Sequence, residues 1–403
     1  GFIGRFLVQS LLARGKGTVY VLVRPKSLGK LDELREFWGK DSLKRVVPIK
    51  GDLGLPKLGV ARGDLTKLKG KVKHFYHLGA VYDIEASAEA MEKANITGTR
   101  GALEFAEAVN AGCFHLVSSI AAAGLYRGTF TEDMFEEAEE LEHPYHRTKH
   151  DSEAMVRANG RIPFRVYRPG AVLGHSQTGF IDKIDGPYYF FKALQKLRES
   201  WPRSIPLVGI EGGYINVVPV DFVVDALVHL SHQPKLDGRC FHLTDPKARR
   251  VGEVLNVFAR AAHAPEMAFR LDPKVFAMVP EPVTQSVERS KPIQNVFNQL
   301  LRDLQVPRSV LQFVNYPTRF DSTATQKILD KAKIRVPALE DYAWRLWDYW
   351  ERHLDPDLSI DRSLRGAVKG KVVMITGGSS GIGEAAAIRI AEAGGKVLVV
   401  ARD

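Results

Sequence analysis

The most constraining feature of this sequence is an alternation of short β-branched runs with helical stretches between residues 18 and 174. The predicted strands are Thr18–Val23, Val46–Ile49, His74–Leu78, Cys113–Val117 and Phe164–Tyr167. The predicted helices are Leu31–Phe37, Glu89–Val109 and His146–Asn159. This order is typical of an α/β fold, in which helices cover both faces of a doubly wound parallel sheet.

Length and composition limit the class of protein. The 403 residues leave room for two or three domains, at about 150 residues each. Hydrophobic residues make up 45% of the chain, but Arg, Lys, Gly or Pro interrupts every apolar run before the roughly 18 residues of a membrane span. Two cysteines, Cys113 and Cys240, are too few for a disulfide scaffold. We therefore expect a globular, cytoplasmic protein.

The formal net charge of +10 favours an anionic ligand, a membrane surface or nucleic acid as partner. Lys and Arg are spread along the whole chain, and the sequence has no basic arm, zinc-finger pattern or RNA-binding signature. A phosphate-rich cofactor is therefore a better prediction than nucleic acid. The sequence leaves open whether the basic surface contacts a membrane and whether the chain forms homo-oligomers.

The chain divides into four predicted segments. Residues 1–180 carry the alternating pattern, and residues 181–354 are expected to be a mostly helical, aromatic region that builds a substrate pocket. For any single aromatic residue there, however, filling a helical core is the favoured interpretation. Residues 355–370 are polar and interrupted by Pro and Gly, which indicates a linker. Residues 371–403 are typical of the first strand, turn, helix and strand of a second Rossmann-like domain.

Glycine turns near both ends of the chain are candidates for dinucleotide binding. The residues concerned are Gly1, Phe2, Ile3 and Gly4 in the first turn, and Gly377, Gly381, Ile382 and Gly383 in the second. A pyrophosphate can approach helix N-terminal amides where no Cβ intervenes. Capping alone could explain the first turn, which lacks a preceding strand and a further glycine, whereas the second follows a strand and precedes a helix. We therefore expect a fragment of a longer protein, without its first strand and with a truncated second domain.

An arginine follows the second strand of each unit, Arg24 in the first and Arg402 in the second. An acidic residue there would bind the ribose 2′-hydroxyl of NAD, whereas arginine suits the 2′-phosphate of NADP. The pattern favours NADPH, although both arginines could be ordinary exposed residues and Asp403 lies beside Arg402. Asp52, after Gly51, is predicted to lie near an adenine amino group or to form a routine turn.

The strongest catalytic pattern is Tyr145-His-Arg-Thr-Lys149. On a helix, residues four apart face the same way, and a neighbouring ammonium lowers the pKa of a phenol from its ordinary value of about 10. Ser119 ends a predicted strand, where its hydroxyl could share a substrate carbonyl oxygen with Tyr145. A Tyr-x-x-x-Lys pattern alone occurs often by chance. Here it follows a strand that ends in Ser-Ser, in a chain with dinucleotide-binding turns, and this combination favours a catalytic interpretation.

Two further polar residues are better explained by structure than by catalysis. His175 follows a glycine in a predicted loop, where histidines are usually solvated. Asp221 stands where an N-cap would begin an amphipathic helix. No Cys, His and carboxylate cluster has metal-ligand spacing, so no metal is predicted.

Taken together, the motifs resemble an extended short-chain dehydrogenase/reductase. The shared motifs are Gly1-Phe-Ile-Gly4, Gly51-Asp-Leu53, His77-Leu-Gly-Ala80, Val117-Ser-Ser119, Tyr145-x-x-x-Lys149 and Arg168-Pro-Gly170. More narrowly, four segments look like those of bacterial alcohol-forming fatty acyl-CoA reductases, which fuse such a unit to a second short-chain reductase unit. They are Val117–Leu125, Asp185–Phe191, Asn315–Asp321 and Trp347–Arg352.

The resemblance implies an NADPH-dependent reductase of long-chain fatty acyl-CoA or fatty aldehyde to fatty alcohol. It implies that Tyr145 protonates the carbonyl oxygen, that Lys149 lowers the pKa of Tyr145 and holds the nicotinamide ribose, and that Ser119 steadies the oxyanion. The residues implied around NADPH are Gly1, Phe2, Ile3, Gly4, Arg24, Asp52, Leu53, Gly79, Ala80, Tyr145 and Lys149, with Gly377, Gly381, Ile382, Gly383 and Arg402 in the second unit. Two alternatives remain open: a nucleotide-sugar epimerase or dehydratase with the same triad, and a non-catalytic dinucleotide-binding protein.

Overall fold

The computed structural model describes residues 1–40, 42–80, 87–182, 184, 186–200, 202, 207–271, 316–359, 361 and 363–401. The chain forms two compact units, Gly1–Tyr349 and Trp350–Asp403. Each unit contains a parallel sheet of its own.

The first unit contains many short strands, together with helices that are 4 to 15 residues long. Its described strands are β1 (Val19–Val23), β2 (Val46–Lys50), β3 (His74–His77), β4 (Cys113–Val117), β5 (Thr129–Phe130), β6 (Phe164–Pro169), β7 (Ala171–Leu173), β8 (Leu207–Ile210), β9 (Tyr214–Ile215), β10 (Val217–Pro219), β11 (Cys240–Leu243), β12 (Arg249–Arg250), β13 (Met267–Leu271) and β14 (Arg319–Phe320). Its described helices are α1 (Phe2–Arg14), α2 (Lys30–Trp38), α3 (Ser42–Arg45), α4 (Arg62–Leu68), α5 (Ala88–Glu92), α6 (Gly98–Ala108), α7 (Pro144–Arg157), α8 (Phe191–Ser200), α9 (Val220–Ser231), α10 (Val251–Ala261) and α11 (Thr323–Lys331). A further helix, α12 (Leu339–His353), begins in this unit and ends in the second.

A four-stranded parallel sheet in the order β11-β6-β4-β3 forms the centre of the first unit. Successive residues of its strands face opposite sides, as the period of two requires. Leu116 and Val166 belong to the apolar cluster that also contains Phe105 of α6 and Val156 of α7. The next residues along the strands, Val117 and Tyr167, belong to the cluster that also contains Leu7 of α1 and Leu227 of α9. Helices therefore cover both faces, which confirms the predicted α/β, Rossmann-like fold.

Strands β1 and β2 form a separate two-stranded parallel sheet, with Val19 opposite Val46 and Val23 opposite Lys50. β1 and β3 both line one large cavity of about 2040 Å³. Among the described residues, β1 and β3 do not pair with each other. The cavity also borders the carboxyl ends of β3 and β4, at Leu78 and Ser118, which is the edge of the sheet where dinucleotide-binding folds place their ligand.

The region after residue 180 contributes more to the sheet than its helical, aromatic composition indicates. β11 pairs with β6 in the central sheet, with Phe241 opposite Tyr167. The strand is only four residues long and fully buried, so it carries little alternating pattern to reveal it. The division at residue 180 stays a prediction, and the central sheet draws a strand from beyond it.

The second unit contains a βαβ arrangement of β15 (Val372–Thr376), α14 (Gly381–Glu392) and β16 (Lys396–Val400), preceded by the short helix α13 (Leu364–Val368). β15 and β16 pair in parallel, from Val372 opposite Lys396 to Thr376 opposite Val400. The predicted linker, residues 355–370, contains α13 and a 3₁₀ turn at Pro356–Ser359. The described part of that segment is therefore partly helical, and its role as a linker stays a prediction. No helix in the described part of the chain is long and apolar enough to cross a membrane.

Candidate functional site

Ser119 lies two residues beyond the end of β4, on the wall of the cavity. Its side-chain oxygen accepts a hydrogen bond from the backbone N–H of Ala121, at 3.1 Å, and so caps a 3₁₀ turn at Ile120–Ala123. Because the hydroxyl oxygen accepts that bond, its proton is left to be donated elsewhere. The strand end and the turn together fix a hydroxyl donor at the edge of the central sheet.

Helix α7 carries Tyr145 and Lys149 one turn apart, as predicted from their spacing. The helix begins at Pro144, a favourable first helical residue, and the His143 ring nitrogen Nδ1 accepts from the Tyr145 N–H at 3.1 Å. Tyr145 is 8% exposed and Lys149 is 7% exposed, and both line the same cavity as Ser119. The structure therefore brings the three predicted catalytic residues to one cavity.

Burial lowers the pKa of Lys149 to about 8, while the carboxylate of Glu153 acts in the opposite direction. Glu153 lies four residues further along α7 and is fully buried. Arg168 donates to both of its oxygens, at 2.6 and 3.0 Å, and Arg157 donates to one of them. Burial opposes ionisation of Glu153, but these two guanidinium groups outweigh it and lower its pKa. A permanent negative charge thus lies one turn from the Lys149 ammonium.

A second anchor of α7 is Asn95, which the sequence did not indicate. Asn95 lies in a π-helical segment, Lys93–Thr97, between α5 and α6. Its side-chain amide donates to the Thr148 hydroxyl at 3.0 Å, and its backbone carbonyl accepts from the hydroxyls of Ser152 (2.9 Å) and Thr99 (2.6 Å). π-Helical segments are rare and occur frequently at functional sites, but they have no simple sequence pattern. Asn95 therefore fixes the helix that carries Tyr145 and Lys149.

Tyr316 is a further residue of this cavity that sequence reasoning did not single out. Its hydroxyl donates to the backbone carbonyl of Gly124, and its own carbonyl accepts from the Tyr214 N–H at 2.7 Å. Burial raises the pKa of Tyr316, and its electrostatic interaction with Tyr145 acts in the same direction. Tyr316 therefore stays protonated and lies near the Tyr145 phenol.

The residues predicted to hold a dinucleotide in the first unit also line this cavity. They are Gly1, Phe2, Ile3, Gly4, Arg24, Asp52, Leu53, Gly79 and Ala80. A Cβ added to Gly1 or Gly4 would meet no atom within 4 Å, so open space adjoins the backbone there. A Cβ on Gly51 would overlap the Leu58 carbonyl oxygen, so this turn requires glycine.

Two polar residues of the cavity bear on whether a cofactor fits. The Asp52 carboxylate accepts from the Gly54 N–H at 2.9 Å, so the routine turn considered for Asp52 is present, and its contact with adenine stays a prediction. Ser118 is 5% exposed, and its hydroxyl has no hydrogen-bond partner among the described residues. A buried hydroxyl without a partner is costly, and a polar group of a bound ligand would satisfy it. The open glycine turn and this hydroxyl fit a dinucleotide in the cavity.

The second glycine turn, in the second unit, has the geometry that such a turn requires. Gly377 and Gly381 have φ angles of 71° and 60°, in the left-handed region that favours glycine. A Cβ on Gly383 would overlap the Gly377 carbonyl oxygen. Ile382 is 92% exposed, and Arg402 lies outside the described residues. Cofactor binding by this turn stays a prediction.

The two residues discounted as catalytic have structural contacts. The His175 ring lies 5.3 Å from the Phe6 ring, and its Nδ1 accepts from the Gln177 N–H at 3.1 Å. The N-cap prediction for Asp221 is wrong, because α9 begins at Val220 with Pro219 as its N-cap residue. Asp221 instead accepts from the backbone N–H and the hydroxyl of Ser176, at 2.8 and 2.5 Å, and closes that loop onto the helix.

A protein family described as "Male sterility protein" matches residues 1–227 of this chain. The matched stretch is more than half of the 403 residues and contains Ser119, Tyr145 and Lys149. Curated relatives match further along the chain. A linear gramicidin synthase of Brevibacillus parabrevis is 27% identical over 370 residues, which are 87% of this chain and 7% of that protein. Glycine betaine reductase of Emericella nidulans is 25% identical over all of this chain and 32% of its own length.

A third curated relative, the aldehyde reductase lnbA of Aspergillus flavus, is 27% identical over 61% of this chain and 26% of its own. The chain thus spans a third or less of these relatives. Among solved structures, the terminal R domain of the myxalamid biosynthetic pathway has a TM-score of 0.68 and 25% identity, with 88% of this chain and 90% of that chain covered. UDP-glucuronic acid 4-epimerase of Bacillus cereus has a TM-score of 0.57 at 18% identity, with 89% and 96% covered, and shows the fold alone.

Proposed function

We propose that this protein reduces long-chain fatty acyl-CoA or fatty aldehyde with NADPH. It belongs to the male sterility protein family, and it is an NAD(P)-dependent reductase of the extended short-chain type. The observation that carries the proposal is the meeting of Ser119, Tyr145 and Lys149 with the first glycine turn in one cavity. The substrate class rests on the narrow sequence motifs that resemble fatty acyl-CoA reductases. The curated relatives include an aldehyde reductase, a glycine betaine reductase and a gramicidin synthase. Their names differ in substrate, so they support a reductase and leave its substrate to experiment.

Each catalytic residue has a role that its position supports. A nicotinamide cofactor held by the first glycine turn would supply the hydride for the substrate carbonyl carbon. With a thioester substrate, the coenzyme A thiol would then leave to give an aldehyde, and a second hydride would give the alcohol. Tyr145 donates the proton that the carbonyl oxygen then needs, and the Lys149 ammonium favours the phenolate that remains. Ser119 donates its free hydroxyl proton to the same oxygen and stabilises the developing negative charge.

The preference for NADPH rests on Arg24. This arginine lies one residue beyond the end of β1, lines the cavity, and takes part in no ion pair among the described residues. A guanidinium group at that position suits a ribose 2′-phosphate. Gly1, Gly4 and Ser118 would hold the remainder of the cofactor.

The proposal is tested by mixing the full-length protein with palmitoyl-CoA or hexadecanal and following the absorbance of NADPH. Oxidation with both substrates supports an enzyme that carries a thioester through to the alcohol, and oxidation with hexadecanal alone reduces the proposal to an aldehyde reductase. The same assay with NADH is expected to be slower. Absence of oxidation with either substrate would overturn the proposed function.

The pH dependence of this reaction follows from Lys149. Its pKa in the folded protein is lowered to about 8, so the ammonium loses its proton as the pH rises through that value. We therefore expect kcat/KM for hexadecanal to fall as the pH rises above about 8. Glu153→Gln removes the carboxylate that opposes this lowering, so the fall should begin at a lower pH. A profile that stays level through this range, or one that Glu153→Gln shifts upward, would contradict the role of Lys149.

A further inference from the structure

The 3₁₀ turn that Ser119 caps packs against helix α7. Its residues Ala121, Ala122 and Ala123 are buried, and their small side chains allow the turn to approach the helix closely. Ala121 belongs to a buried apolar cluster that also contains Tyr145. The backbone N–H of the same Ala121 donates to the Ser119 hydroxyl oxygen. The turn therefore contacts the catalytic tyrosine and orients the catalytic serine.

His150, on α7, donates a hydrogen bond to the middle of this turn. Its ring nitrogen Nδ1 lies 3.1 Å from the backbone carbonyl oxygen of Ala122. Because a carbonyl oxygen can only accept, Nδ1 carries the proton. The bond thus joins the helix that carries Tyr145 and Lys149 directly to the turn that Ser119 caps.

Contacts of the His150 ring hold it in the orientation that this hydrogen bond requires. The ring stacks on the Phe135 ring, with 4.3 Å between the centroids and 3° between the planes. The guanidinium carbon of Arg157, about two turns further along α7, lies 4.7 Å from the centroid of the same Phe135 ring. Stacking and cation–π contacts favour particular ring geometries. His150 therefore reaches Ala122 with an ordered side chain.

Backbone hydrogen bonds hold both ends of the turn to other elements. The Ser118 N–H donates to the Tyr167 carbonyl of β6 at 2.8 Å, and the Leu125 N–H donates to the Glu139 carbonyl at 2.7 Å. These bonds fix the ends of the turn to the sheet and to the segment that follows β5. His150 connects the middle of the turn to α7. Loss of the His150 donor should therefore release the middle of the turn while its ends stay in place.

Building on the proposed function, we propose that His150 is a positioning residue that sets the place of the Ser119 hydroxyl relative to Tyr145. The two hydroxyl groups must converge on one substrate oxygen, although they belong to different elements. Such groups need placement to within about 0.5 Å, and a misplacement of about 1 Å can cost about 100-fold in rate. His150 does not line the cavity, so it acts through the turn rather than on the substrate.

The test compares two replacements of His150 in the full-length protein, with hexadecanal and NADPH as substrates. His150→Phe keeps a ring that can stack on Phe135 and removes the donor. We expect its kcat to fall about tenfold while KM for hexadecanal stays within about twofold. His150→Asn keeps an N–H group near the position of Nδ1, so it should recover most of that loss. As the matched control, His229→Phe makes the same change at a half-buried histidine of α9 that does not line the cavity, and its kcat should stay within about twofold of the wild type.

A double-mutant cycle distinguishes positioning of Ser119 from a general effect on the fold. In a Ser119→Ala background the hydroxyl that His150 positions is absent, so the addition of His150→Phe should lower kcat by less than about twofold. A further fall of about tenfold in that background would show that His150 acts on the helix itself, and this would overturn the proposal. Equal kcat values for His150→Phe and His150→Asn, or for His150→Phe and the wild type, would overturn it as well.

Hydrogen exchange tests the same contact independently of turnover. The backbone amides of residues 120–124 should exchange about tenfold faster in His150→Phe than in the wild type, because one hydrogen bond to the turn is lost. His150→Asn should restore most of the protection, and an unchanged exchange rate in His150→Phe would contradict the proposal. If the wild type oxidises NADPH with neither hexadecanal nor palmitoyl-CoA, the proposed function fails, and hydrogen exchange then decides whether His150 holds the turn.

Discussion

Replacing Tyr145 with phenylalanine is expected to lower kcat for NADPH oxidation by about 10²- to 10⁴-fold, the usual contribution of a positioned general acid. The substitution removes one oxygen and keeps the ring that is 8% exposed in the first turn of α7. The glycine turn and Arg24 are untouched, so the Kd for NADPH should change little. The measurement is steady-state kinetics with hexadecanal, together with NADPH binding followed by fluorescence.

Tyr126→Phe is the matched control, since it deletes the same oxygen from a tyrosine that packs against Phe130 and does not line the cavity. Its kcat should remain within about twofold of the wild type, as for most substitutions away from special features. A Tyr145→Phe variant with similar activity would show that the proton comes from another group. Loss of NADPH binding in that variant would show that the phenol serves the cofactor more than the chemistry.

Replacing Arg168 with methionine is expected to lower the free energy of unfolding by about 3–5 kcal/mol, the cost of leaving one member of a buried ion pair. Arg168 has no exposed surface, donates to both oxygens of Glu153, and donates twice to the carbonyl of Met134. Its loss leaves the buried carboxylate with Arg157 alone. Chemical denaturation of the variant and the wild type measures the difference.

Two variants separate pairing from charge. Arg161→Met breaks an exposed ion pair with Glu107, in which the Arg161 side chain is 79% exposed. It should change the unfolding free energy by about 1 kcal/mol or less. The double variant Glu153→Leu, Arg168→Met removes both buried charges, so we expect it to be more stable than Arg168→Met. A double variant less stable than the single would show that Glu153 stabilises the fold without Arg168, through its contact with Arg157.

The sequence predicts β4 closely because it is a β-branched and aromatic run bounded by Gly112 and by Ser118-Ser119. The predicted strand Cys113–Val117 has the bounds of β4, and Tyr145 and Lys149 lie on one helix as their spacing requires. These features depend on local pattern. What the sequence does not predict depends on contacts between distant segments: the strand β11 in the sheet, and the hydrogen bond from Tyr316 to Gly124, which lie 192 residues apart.

Asn95 belongs to the same class of missed residues. Its role depends on a π-helical segment and on Thr148 of another helix, neither of which has a sequence pattern. Pairing partners of this kind are decided by tertiary packing, which no window of sequence contains.

The two anchors of α7 have a consequence for how such a protein can diversify. Asn95 holds one side of this helix and Arg168 holds the other through Glu153, whereas Tyr214 and Tyr316 belong to segments far along the chain. Substitutions in those distant segments can therefore alter which molecule is accepted without disturbing the reacting groups. Substitutions beneath the helix have no such freedom, because each would need a compensating change in its partner. Over evolutionary time, new substrates should be acquired by change at the cavity wall while the helix and its anchors stay constant.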